Sequence, residues 1–294
     1  MAVELQGGGR LRRGLAAVLI ALAPAAAAAQ SEAPGVTASY EAAYDRFHYY
    51  FENPSSFDMG LVPHNFTQTY WADNHWAIVT ARYRIGGIAM ETEFGATPSR
   101  ATRGDDVDTF FQPNGDVVTS GTSGQVDLQS WRVRYALTMG VAGGLTWHGG
   151  YQFRRDRSEF QPEQTKTVTH SQPPSSESFT IVGAETTISD LHEVRVGVSR
   201  GWTRPGGWRL RARVDAAPTT HARLTTILPI KYPGREILFA TTVLTINPSL
   251  TVSHGERWPI AASVAWTGTF SYLESNQFKR NAFTASIGIG RSLN

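Results

Sequence analysis

A strict two-residue alternation constrains this chain more than any other feature. In "WRVRYALTMGVAGGLTWHGGYQFRR" (131–155), Trp131, Val133, Tyr135, Leu137 and Met139 take the odd positions, with Arg132 and Arg134 between them. The parity returns after a glycine-rich break, with Leu145, Trp147, Tyr151 and Phe153 set against His148, Gln152 and Arg154. Side chains on a strand point alternately to its two faces, so these strands have one greasy face and one charged face. A soluble sheet would pack the apolar face inward and wet the arginines. A transmembrane barrel would turn the apolar face to lipid and the arginines to its lumen.

The rest of the chain chooses between them. Ten segments alternate in this way, at 37–50, 75–85, 88–97, 127–140, 145–156, 188–202, 208–217, 236–252, 259–273 and 281–293. No helical periodicity of useful length competes. The breaks between segments differ in length by turns. Gly86-Gly87, "GVAGG" (140–144), "TRPGG" (203–207) and "HGER" (254–257) are short, whereas 51–74, 98–126, 157–187 and 218–235 are long and polar, with a shorter stretch at 274–280. From a periplasmic N-terminus this places four short turns on one side and five loops on the other, the asymmetry of a barrel in an outer membrane. No apolar run after residue 29 reaches the ~20 residues of a membrane helix, so an integral membrane protein of this sequence must be a β-barrel. Trp147, Trp202, Trp208 and Trp258 fall close to the short turns, and Trp131, Tyr151, Phe153, Phe270 and Tyr272 fall nearer the long loops, as two headgroup belts require.

Parity assigns the inward charges. The second and third segments turn Arg82, Arg84, Glu91 and Glu93 to the lumen, and the fourth and fifth add Arg132, Arg134 and Arg154. The sixth contributes Glu193 and Arg195, and the seventh Arg209, Arg211, Arg213 and Asp215, with Glu41 and Asp45 joining from the first. Ten strands enclose little more space than side chains can fill. These charges are therefore expected to pair across strands and plug the barrel, and Glu91 and Glu93 lie within reach of Arg82 or Arg84. A selectivity ladder in a pore is the alternative.

The N-terminus has the pattern of a secretory signal peptide over residues 1–29. A basic stretch with Arg10, Arg12 and Arg13 precedes the apolar "GLAAVLIALAPA", and small residues offer cleavage near Ala29. The remaining residues, 30–294, are expected to form one barrel domain. They balance at 24 basic and 24 acidic residues, because residues 1–29 hold three arginines and Glu4, so no global charge favours nucleic acid. Cysteine is absent, which excludes disulfides and thiolate metal sites.

With these features the chain resembles the class of Gram-negative outer-membrane β-barrels over essentially all of its length after the signal peptide. The resemblance implies an all-β, ten-stranded, up-and-down antiparallel transmembrane barrel, surrounded by outer-membrane lipid and presenting its loops to an extracellular ligand or surface partner. It rests on architecture, and the ending "GIGRSLN" lacks the terminal aromatic residue common in that class.

Catalytic chemistry has one candidate arrangement. Ten strands also resemble the omptin family of outer-membrane proteases, in which an Asp pair faces an Asp–His pair. Here "GDDVD" supplies Asp105, Asp106 and Asp108, and Asp190 and His192 lie at the top of the sixth segment. In that reading His192 polarises water, Asp190 orients it, and Asp106 and Asp108 position it. The flanking residues do not match omptin signatures, Asp190 and His192 fall on the lipid-facing parity, and the pair follows the third long loop, not the fourth. His148 is inward and suits a structural hydrogen bond. His170-Ser171 sits in a polar loop with no partner acid at a diagnostic spacing. HExxH spacings, phosphate loops and dinucleotide fingerprints are absent, so neither metal nor cofactor is implied. The sequence thus points to a non-enzymatic barrel with a structural or surface-interaction role, with a narrow small-solute channel and an omptin-like protease as alternatives.

Overall fold

A sheet whose strands each carry one apolar and one charged face can satisfy both by closing on itself, which also removes its hydrogen-bonding edges. A computed structural model describes residues 34–53, 64–85, 88–140, 145–162, 165–180, 183–227, 236–274 and 276–292. The expected signal peptide, the Gly86-Gly87 turn, residues 141–144 of "GVAGG" and most of the 51–63 and 228–235 stretches lie outside the described residues.

Ten long strands pair antiparallel with their chain neighbours. They are β1 (Gly35–Asn53), β2 (His64–Ile85), β3 (Ile88–Phe111), β4 (Val117–Gly140), β5 (Leu145–Pro162), β8 (Glu185–Arg204), β9 (Trp208–Ile227), β10 (Glu236–His254), β11 (Ile260–Ser271) and β12 (Asn276–Ser292). The first and last close the ring, from Gly35 opposite Ser292 to Phe51 opposite Asn276. Between β5 and β8 the short strands β6 (Thr165–Ser171) and β7 (Pro174–Thr180) form a hairpin, whose β6 pairs with β4 over Val118–Gly121. No described helix is long and apolar enough to cross a membrane. The fold is the closed ten-stranded antiparallel barrel that the alternation predicts.

Most of the long connections are a correction to the sequence reading. Instead of looping, β3 and β9 run on to Phe111 and Ile227, and β2 and β4 begin about ten residues earlier than the alternation indicates, at His64 and Val117. For β3 and β9 the reason lies in two prolines. The register of β3 slips by one residue against both neighbours around Pro98, and that of β9 slips against both neighbours around Pro218. A bulge tolerates proline, because its extra residue is unpaired in the ladder, and it inverts the parity of everything beyond it. Glu93 and Thr97 are buried on odd positions of β3, and Asp106 is buried on an even one; Asp215 and Ala217 give way on β9 to Thr220, Ala222 and Leu224. The prolines end the sequence pattern without ending the strands.

At ~3.4 Å per residue, strands of 19 to 24 residues are much longer than a lipid-facing band of ~25 Å requires. The short-turn half carries the apolar outer face, with Val79, Phe94, Val264 and Phe283 all more than half exposed. The outer face of the other half is more polar, with Arg103, Gln125, Arg157 and Arg223 exposed beside a few apolar side chains such as Leu238. At the β8–β9 turn, Gly206 and Gly207 take φ of 80° and 78°, left-handed values that glycine adopts without steric cost.

Candidate functional site: a charged chamber closed by aromatic side chains

The interior is divided along its length. In the long-loop half, inward side chains from β1, β2, β4, β5, β8, β9, β10 and β12 meet in one buried apolar cluster, with Phe47, Tyr49, Phe51, Tyr70, Leu128 and Phe278 among its members. Rings pack face to face or tilted: Phe51 on Phe239 at 4.2 Å, Phe47 on Tyr70 at 4.8 Å and Tyr49 on Phe278 at 5.2 Å. Tyr49 and Tyr70, both buried, hydrogen-bond to each other through their hydroxyls at 3.0 Å. The bulge of β9 serves this layer directly, since its parity change turns Ala222 and Leu224 inward.

The short-turn half holds a cavity of about 310 Å³. Of the charges assigned inward by parity, Arg82, Glu91, Glu93, Arg132, Arg134 and Arg154 line it from β2 to β5, and Arg195, Arg209, Arg211, Arg213 and Asp215 line it from β8 and β9. Glu193 is buried beside Arg195, 2.7 Å away. Arg84 lies exposed at the end of β2. Glu91 meets Arg82 at 2.8 Å and Arg134 at 2.9 Å. Glu93 turns away from β2 to Arg132 on β4, at 2.8 Å, and the same guanidinium reaches Glu41 across the barrel at 3.0 Å. Arg213 bonds Asp215, two positions along its own strand, at 2.6 Å.

At the boundary of the two halves, arginines rest on the aromatic layer. Arg132 and Arg154 lie 4.8 and 5.0 Å from the ring centroid of Trp76, and Arg154 and Arg280 lie 5.4 and 5.7 Å from that of Phe47. Buried Asp45 accepts from Arg280 at 2.8 Å and from Asn74 at 2.7 Å, with Arg154 at 3.5 Å. Arg154 also donates to Asp156 at 2.8 Å. Arg280, outside the segments read for charge, is found only by following the β1–β12 closure. His148 is buried between Ser199 at 2.7 Å and Thr138 at 3.1 Å.

The omptin-like candidates are not brought together. Asp106 is buried inside the barrel, whereas Asp190 and His192 face outward. Asp190 accepts two bonds from Arg155 at 2.6 and 2.8 Å, and His192 bonds the Tyr151 hydroxyl at 2.6 Å. Asp108 is half-buried. No arrangement among these four puts an imidazole and a carboxylate on one water inside the barrel. Among the described residues no cluster of three His, Asp or Glu side chains can hold a metal ion.

His170 has a partner acid that no sequence spacing marks, 54 residues away. Asp116, in the β3–β4 turn, accepts from His170 Nδ1 at 2.9 Å, from the Ser171 hydroxyl at 3.0 Å and from the Ser171 and Gln172 amides at 2.9 Å each. Those donors, His170 first, hold the Asp116 carboxyl down to about 2. Because the Ser171 hydroxyl donates to Asp116 and not to the imidazole, the trio is a clasp on the β6–β7 hairpin and not a nucleophile relay.

No protein-family model and no curated protein matches this chain. Among solved structures, the outer membrane protease OmpT from Escherichia coli is similar with a TM-score of 0.63 at 9% identity, covering 90% of this chain and all of that one. The translocator domain of the autotransporter NalP from Neisseria meningitidis, with 12% identity over 97% of this chain and 95% of that one, has a TM-score of 0.36. The β domain of the Bordetella autotransporter BrkA has the same TM-score at 9% identity, over 89% of this chain and all of that one. At these identities the likeness is one of fold, the outer-membrane β-barrel.

Proposed function

We propose that this protein is a non-enzymatic outer-membrane barrel, closed to through-flow, whose long-loop half stands clear of the lipid as a rigid structural or surface-interaction element. The aromatic layer carries this reading. Eight strands contribute to it, and the packing of its rings at 4 to 5 Å supports closure between the chamber and the far end. The exposed apolar band supports a lipid environment, and the four short turns at one end support a periplasmic placement of the chamber mouth. In this reading residues 1–29 direct secretion. The ion pairs support the stability of the chamber, and the aromatic side chains close the barrel. The polar outer face of the extension, with pairs such as Arg155–Asp190, is the surface available to an extracellular partner.

Planar-bilayer recording tests the closure. The folded barrel is expected to show no steady single-channel conductance. Steady wild-type conductance with a defined ion preference would overturn the closed reading in favour of a narrow channel.

A further inference from the structure

The chamber is lopsided. From the short-turn end inward, β9 presents Arg209, Arg211 and Arg213 in succession on its inner face, about 7 Å apart by strand geometry. The register sets them opposite Ser253, Thr251 and Ser249 on β10. The wall continues through Ser263 on β11, Ser286 and Gly288 on β12, and Ser39 on β1. Neighbouring inward positions there are small, so the arginines have room in front of them. On the far wall the large charges engage one another, Glu41 and Glu93 with Arg132, and Glu91 with Arg82 and Arg134, while on β9 Arg213 is itself paired with Asp215 at 2.6 Å.

Charge counting gives the sign. Among the described residues ten arginines and five acids line the chamber. Asp45, Asp156 and Glu193 stand just behind it, so even with these three the arginines are in excess by two. Positive excess inside a narrow, low-dielectric wall focuses its field at the mouth and draws anions in. Guanidinium forks bind phosphate and carboxylate oxygens in bidentate fashion, and serine and threonine hydroxyls can donate to the same oxygens.

We propose that the chamber is a dead-end binding site for a short linear polyanion, which enters at the short-turn end and lays successive anionic groups along Arg209, Arg211 and Arg213. The hydroxyls of β10 complete its coordination, and the arginines that rest on Trp76 and Phe47 mark where it stops. Ladder spacing selects a chain of charges over a single one.

Calorimetry on the folded barrel in lipid nanodiscs tests this, with inorganic tripolyphosphate, citrate and monophosphate as probes at low and high salt. Tripolyphosphate or citrate is expected to bind, more weakly as salt rises, and whichever binds tighter identifies a phosphate or a carboxylate chain as the ligand chemistry. Arg209→Gln and Arg211→Gln should each weaken binding about tenfold, the loss of one charge-assisted contact. Heat-modifiable migration reports whether each variant has folded. If Arg211→Gln does not fold, Arg209→Gln, exposed at the mouth, carries the comparison. The chain has no cysteine, so Ser253→Cys gives one thiol at the ladder, and the polyanion should protect it from a maleimide. The proposal is overturned by flat calorimetry with both polyanions, by binding indifferent to Arg209, by monophosphate binding as tightly as tripolyphosphate, or by an unprotected thiol.

Discussion

Arg154 lies 5.0 Å from the centre of the Trp76 ring and donates to Asp156 at 2.8 Å, so one side chain joins the charged half of the barrel to the aromatic half. Its guanidinium is fully buried, and its neighbour Arg155 points outward to Asp190 with nearly half its side chain exposed. Removing one partner of a buried pair leaves an uncompensated charge and typically costs about 3–5 kcal/mol, against about 0–1 for an exposed pair. Arg154→Ala should therefore lower the heat-modifiability midpoint strongly and Arg155→Ala hardly at all. Equal midpoints for the two variants would contradict the inward placement of Arg154.

Facing makes a second contrast. Val196 is exposed on the apolar band, and an arginine there should cost about 2–4 kcal/mol if it lies near the bilayer midplane. Ser253 lines the chamber mouth, where an added charge stays hydrated. Refolding equilibria into lipid vesicles should therefore show a large loss for Val196→Arg and a small change for Ser253→Arg.

How far the sequence was legible follows from where its period holds. Alternation locates every barrel strand of the short-turn half, because lipid outside and water inside leave no other pattern. It fails at Pro98 and Pro218, where a bulge preserves the strand and inverts its faces, so the inward turn of Ala222 and Leu224 beyond the second bulge is not visible in the pattern. Phe47, Tyr70 and Leu224 read as residues of strand ends or loops, and only the register brings them together. Gly197 shows a different blindness. By parity it is one more inward position, open to any small side chain. A Cβ there would lie 2.6 Å from the Val214 carbonyl oxygen, so even Gly197→Ala should be destabilising. The charges of the chamber are legible singly from parity, yet the partner of each is not. Glu93 chooses Arg132 over Arg82 because of strand stagger, which no local pattern encodes.

The aromatic layer predicts its own cost of removal. Phe47 is fully buried between Tyr70 and the guanidinia of Arg154 and Arg280. Truncating a buried phenylalanine typically costs about 3–5 kcal/mol, and Phe47→Ala should lose that much in urea unfolding. A variant also truncated at Tyr49 and Phe278 removes rings from two adjacent strands. Ion current through that variant, absent from the wild type, would identify this layer as what closes the barrel; a silent triple variant would place the closure elsewhere.

Orientation is open to direct labelling, because the protein has no native thiol. Ser175 is exposed at the tip of the β6–β7 hairpin, and Gly206 lies in the short β8–β9 turn at the opposite end. On intact cells an impermeant maleimide should label Ser175→Cys alone, and Gly206→Cys should react only once the envelope is opened. Labelling of both in intact cells would refute the placement of the chamber mouth on the periplasmic side.

The hairpin clasp gives a pH dependence whose sign is fixed by Asp116. Its folded-state pKa, about 2, lies below the ordinary aspartate value of 3.8, so the carboxylate stabilises the clasp fully above that ordinary value. The contribution falls away as pH drops through the interval and is lost below about 2, when a proton occupies the oxygen that accepts from His170 or Ser171. Amide exchange over β6 and β7, corrected for intrinsic rates, should thus be unchanged from neutral pH down to about 4 and accelerate below it. Asp116→Asn, which cannot carry the charge, should show the accelerated exchange already at neutral pH while the barrel strands β1 and β12 keep theirs. Exchange in the hairpin that ignores both the substitution and the acid would mean that backbone pairing with β4, and not this carboxylate, holds it in place.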